Sequence, residues 1–172
     1  MSNEWSNQVH QSLVRLKANK PLRVAIMGIG HELMGDDAAG IIVVRSLELS
    51  LAHRADVLIL EGGTAPENQT GVLRRFSPQF VVLVDAINVS ELKSRIRWLK
   101  WQDVRGIGTT THALPLYVIA QYLERELHCE VGIIGIQTVR MKLGEGLSSG
   151  VNQLVNEVVQ SLVGLLQYRN LS

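Results

Sequence analysis

Two adjacent carboxylates, Asp36 and Asp37, close the glycine-rich stretch MGIGHELMGDDAAG at residues 27–40. A glycine turn between a strand and a helix ordinarily cradles phosphate on backbone amides. Carboxylates at the helix N-terminus occupy the positive end of the dipole themselves and repel a phosphate there. A dinucleotide fingerprint also needs a third glycine where Leu33 stands, and no Lys-Ser or Lys-Thr completes a Walker loop. The stretch therefore suits a helix cap or a cation. Asp36 reads most simply as the N-cap of the helix that follows, and Asp37 as a candidate ligand. Asp85 in VLVDA and His112 in TTTHALPL are the other candidates. Two carboxylates and one imidazole (Asp37, Asp85, His112) leave coordination positions open, which fits nickel or zinc better than calcium or magnesium. Such a site serves either a hydrolase with permanent zinc ligands and a bound water or a metal presented by another molecule.

Those residues matter only if the fold brings them to one place. LRVAIMG (22–28), ADVLILE (55–61), QFVVLVDA (79–86) and EVGIIGI (130–136) are short apolar runs, as expected of strands covered on both faces of a parallel sheet. Between them, helical patterns run from Asp37 to Leu51, from the GTAPEN stretch onward, over 114–128, and near the C-terminus through Val151, Leu154, Val155, Val158, Leu162 and Leu166. Thr64 and Glu67 are spaced as a capping box, Pro66 and Pro115 open their helices, and Ser148 or Ser149 supplies the last cap. The segment 94–103 interleaves Arg95, Arg97 and Lys100 with apolar residues, as on an exposed edge strand. Residues 1–20 form an N-terminal extension with helical spacing of Trp5, Val9, Leu13 and Leu16, ahead of a single domain over 21–172. The expected architecture is a three-layer α/β/α sandwich around a five-stranded, mostly parallel twisted sheet. Strand 22–28 is placed centrally, 55–61 on one flank and 94–103 at the opposite edge. Sheets of this kind carry their sites at the carboxyl ends of the strands.

The 172 residues carry 17 Lys+Arg against 16 Asp+Glu, a formal net charge of +1 without a basic run, which argues against a nucleic-acid partner. No apolar run is long enough to span a membrane. The one cysteine, Cys129, and the lack of a signal-peptide pattern point to the cytoplasm. No motif places a histidine beside Cys129 to activate it as a nucleophile.

GIGHELMGDDAAG, GGTAPEN, VLVDA, TTTHALPL and IIGIQ, in order between Val24 and Gln137, resemble the successive motifs of the hydrogenase maturation endopeptidases. The likeness is greatest to the branch that processes the large subunit of formate-hydrogenlyase-type nickel–iron hydrogenases. The resemblance implies strand order 2-1-3-5-4 with an antiparallel edge strand. It also implies removal of a C-terminal extension from the hydrogenase large-subunit precursor once nickel has been inserted between its thiolates. Nickel then belongs to the substrate, and the isolated site is empty or holds another divalent ion. The resemblance makes Asp37, Asp85 and His112 the metal-contacting and catalytic residues. Two positions depart from the family pattern: His31 replaces an asparagine and Glu61 an aspartate.

Overall fold

The computed structural model describes residues 4–17, 21–88, 94–104 and 115–167. Five strands, β1 (Val24–Ile29), β2 (Val57–Gly63), β3 (Phe80–Ile87), β4 (Ile96–Leu99) and β5 (Glu130–Gln137), form one sheet of order β2-β1-β3-β5-β4. All pairings are parallel except β4 with β5, which is antiparallel. The expected order and the antiparallel edge are both present, although β3 rather than 22–28 occupies the middle of the sheet.

The continuous apolar runs have their reason in the two cores. Alternate residues of β3 face opposite ways: Phe80, Val82 and Val84 join one core, Val81, Leu83 and Ile87 the other. The first core is closed by α1 (Glu4–Lys17), α2 (Ala39–Leu51) and α5 (Ser149–Gln167), the second by α3 (Thr70–Phe76) and α4 (Leu116–Leu127). The N-terminal helix α1 buries Trp5, Val9 and Leu13 against β4 and α5, so its apolar stripe is part of the first core.

Three local expectations are corrected. The edge strand is only four residues long. The carboxylate of Asp103 accepts the Lys100 N–H at 3.0 Å and turns the chain, while Trp101 Nε1 donates to Glu124 on α4. Thr64 and Glu67 form no capping box. Pro66 instead opens a 3-10 turn, Pro66–Gln69, whose preceding residue Ala65 gives no side-chain cap. Asp36 does not cap α2 either, because it lies inside another 3-10 turn, Gly35–Ala38, and the residue before α2 is Ala38. The cap expected of Ser148 is present, with its Oγ accepting the Val151 N–H at 3.4 Å.

Candidate functional site at the carboxyl edge of the sheet

The glycines after β1 allow backbones to touch. A β-carbon on Gly28 would lie 2.2 Å from the Gly40 carbonyl oxygen, and one on Gly40 would lie 2.3 Å from the Val84 oxygen and 2.4 Å from that of Ile29. Helix α2 therefore rests directly on the ends of β1 and β3, with no side chain between. Gly30, at φ +138°, carries the chain over the top of the turn, where a β-carbon would sit 1.9 Å from the Asp37 oxygen. This close stacking seats the 3-10 turn bearing Asp36 and Asp37 against β3. The stretch serves close packing, in keeping with its failure to match either phosphate motif.

Asp36, Asp37 and Asp85 are all fully buried. One oxygen of Asp37 accepts the His31 N–H at 2.8 Å, and one oxygen of Asp85 accepts the following Ala86 N–H at 2.8 Å. Each carboxylate is thus oriented by a backbone amide. Alternation along β3 puts Asp85 on the face of Val81, Leu83 and Ile87, which α4 covers. His112 lies outside the described residues, four positions before α4 begins. Among the described residues, no three His, Cys, Asp or Glu side chains gather into a metal-binding set. The structure thus positions two of the three expected residues on elements that meet at one edge.

Asp36 does something the sequence did not announce. Its Oδ2 accepts the amides of Val139 (3.0 Å) and Arg140 (2.8 Å) and the Ser148 hydroxyl (3.0 Å), while Oδ1 accepts the Ser148 amide (2.6 Å). Burial alone would raise its pKa. The donated bonds from Ser148, Arg140 and Val139 outweigh that effect and hold the carboxyl below its ordinary value. Partners more than a hundred residues away leave no local spacing by which to find them.

His31 Nδ1 accepts the Leu33 N–H at 3.2 Å. Beside it a cleft of about 230 Å³ opens between His31, Glu32, Arg45, Glu61 and Thr64. Arg45 on α2 forks onto both oxygens of Glu61 at 2.7 and 2.9 Å and reaches Glu32 at 2.9 Å. These bonds raise the Arg45 pKa, and they tie Glu61, one of the two residues that depart from the expected pattern, to a cation at the cleft wall. Arg45 was missed in the sequence because its two carboxylates come from different segments, the loop after β1 and the end of β2. Cys129 is pushed up to about 12 by burial and then by the charges of Glu124 and Glu130, so its thiol stays protonated and inert.

Comparison with known proteins bears on what this edge is for. A family model described as hydrogenase maturation protease, HycI, matches residues 41–167. The hydrogenase 3 maturation protease of Escherichia coli K12 is 27% identical over 140 residues, covering 81% of this chain and 88% of its own. The crystal structure of a NiFe hydrogenase maturation protease, HycI, from Thermococcus kodakarensis KOD1 superposes with a TM-score of 0.78 at 29% identity, over 91% of this chain and 99% of that one. The solution structure of the endopeptidase HycI from Escherichia coli gives a TM-score of 0.71 at 26% identity, over 83% and 90% of the two chains.

Proposed function

Because this chain belongs to the hydrogenase maturation protease family and is accordingly an endopeptidase, we propose that it removes a C-terminal extension from a nickel–iron hydrogenase large-subunit precursor after nickel insertion. In this reading Asp37, Asp85 and His112 contact nickel already held by the precursor's thiolates and bring the scissile bond into register. The observation that supports it is the pair of fully buried carboxylates at the carboxyl edge, each oriented by a backbone amide. Held this way, they need little rearrangement to receive a cation, and in a poorly hydrated site their attraction for it is stronger than in water. Hard oxygen donors and an imidazole complete the coordination of a borderline metal whose other ligands are thiolates. The metal arrives with the substrate, so binding energy is available only from the loaded precursor.

The test is to incubate the protein with nickel-loaded and nickel-free precursor and to follow the tail by mass. Loss of the tail from the loaded form alone is expected. A short peptide copying the cleavage site should remain intact even with free nickel, since the metal must be presented at a fixed distance from the bond. Efficient cleavage of that peptide, abolished by chelators and restored by zinc, would replace the proposal with a conventional zinc peptidase.

A further inference from the structure

Two loops at the carboxyl edge are sewn together. The loop leaving β5 begins at Thr138, whose N–H and hydroxyl both donate to the Ile87 oxygen at the end of β3. It then runs alongside the 31–36 segment. Asp36 N–H donates to the Arg140 oxygen, Gly144 N–H to the Leu33 oxygen and Gly35 N–H to the Glu145 oxygen, at 2.9, 2.8 and 3.2 Å. The Asp36 carboxylate clasps both ends of this loop, at Val139–Arg140 and at Ser148. Glu145 adds ion pairs to Arg140 and Lys142 within it.

Such a well-tied pair of loops carries an unusual outer surface. Of the six large exposed apolar residues among those described, three lie on it: Leu33 at 57%, Val139 at 70% and Leu143 at 67% exposure. Around them stand Arg140 and Lys142, both largely exposed. A loop that only closed the fold would gain nothing by presenting these side chains to water. A rigid ledge with apolar contacts and a rim of paired charges is instead pre-organised to receive a protein surface, because its ordering entropy is already lost before binding.

Its position says which surface. The ledge is continuous with the candidate site through Asp36 and Asp37, adjacent residues of one 3-10 turn: the first holds the ledge, the second faces the substrate in the reading above. A folded substrate whose bound nickel reaches Asp37 must lie over the ground beside it. We infer that the paired loops 31–36 and 138–148 form the docking ledge for the folded body of the precursor, with Leu33, Val139 and Leu143 as its apolar contact and Asp36 as the positioning residue that keeps it in register with Asp37. The complementary face of the precursor is apolar where it meets Leu33, Val139 and Leu143.

This inference rests on the proposed function, and its test separates the two. The variant Val139→Ser with Leu143→Ser changes only exposed side chains, so its melting temperature should match the wild type. With nickel-loaded precursor its KM should rise about tenfold while kcat stays within twofold, the signature of lost binding that is equal in ground and transition states. Leu49→Ser, which alters the most exposed large apolar residue among those described, should leave both constants unchanged. Asp36→Asn puts an NH₂ group against the donors that the carboxylate accepted. It should raise KM at temperatures where circular dichroism shows it folded, and Asp36→Glu should not restore it, because the longer side chain has no room among four fixed donors. An unchanged KM in the double serine variant overturns the ledge. So does an unchanged KM accompanied by a switch from dimer to monomer, which would assign the patch to a second copy of this chain. No turnover by the wild-type protein overturns the proposed function itself.

Discussion

The contact of α2 with the sheet makes Gly40→Ala the most demanding test of how the fold holds the site. Judged by local propensity the change should help, since alanine in a helix is favoured over glycine by about 1 kcal/mol. The structure predicts the reverse. The new methyl would lie 2.3 Å from the Val84 oxygen and 2.4 Å from the Ile29 oxygen, where ordinary contact begins near 3.4 Å, so the helix must retreat by about 1 Å. Both neighbours are backbone atoms of paired strands and cannot rotate away. Overpacking of this kind costs about 1–3 kcal/mol, and the rigid neighbours place it at the upper end. After the propensity gain the net loss is about 1–2 kcal/mol, or about 2–8 °C of melting temperature for a chain of this size. The functional cost is larger. Asp37 lies one turn before Gly40, so the same retreat carries it away from Asp85 on β3, and a 1 Å misplacement can cost about a hundredfold in rate. Thermal melts followed by circular dichroism and single-turnover processing of loaded precursor measure the two effects separately. Gly164→Ala on α5, where a β-carbon meets nothing within 4 Å, is the control and should hold or raise stability. If Gly40→Ala behaved like Gly164→Ala in both assays, the account of α2 seated backbone-to-backbone on β1 and β3 would be wrong.

Asp36→Ala should cost about 3 kcal/mol in a denaturant titration at pH 7, well above the ~1 kcal/mol of a lost cap, because three backbone amides and a hydroxyl lose an ionised acceptor. The folded Asp36 pKa is depressed below 3.8, so this stability is present above that value and lost as pH falls through the folded pKa. The gap between wild type and variant should therefore close in acid, and a gap constant down to pH 2 would contradict the clasp. Asp37→Asn and Asp85→Asn should each abolish processing while melting temperature holds; unfolding of either would assign the carboxylate a structural role instead. Cys129 should resist iodoacetamide at pH 8 in the native state, and Cys129→Ser should process precursor normally; rapid alkylation would refute the assignment of a half-buried, protonated thiol.

The strands and their order in the chain were legible in the sequence because burial on both faces writes itself as an unbroken apolar run. All four such runs became parallel strands within two residues at their ends. The amphipathic stripe of α1 and the cap at Ser148 were equally local, resting on 3.6-residue periodicity and a hydroxyl three positions before the amide it accepts. Asp37 and Asp85 could be singled out because strand ends in such a sheet converge on one edge whatever the loops do.

Other features depended on contacts between distant segments. Asp36 resembled a cap in every local respect, yet its partners are Val139, Arg140 and Ser148, brought to it only when β5 and α5 have packed. The Arg45 bridge to Glu32 and Glu61, and the bare contact of Gly28 with Gly40, likewise join segments whose separation carries no periodic signal. Hydrophobic patterning specifies which face of an element is buried, through a free energy proportional to area and indifferent to identity. Which donor meets which carboxylate depends on distances of a few tenths of an ångström, and these exist only once the layers have closed.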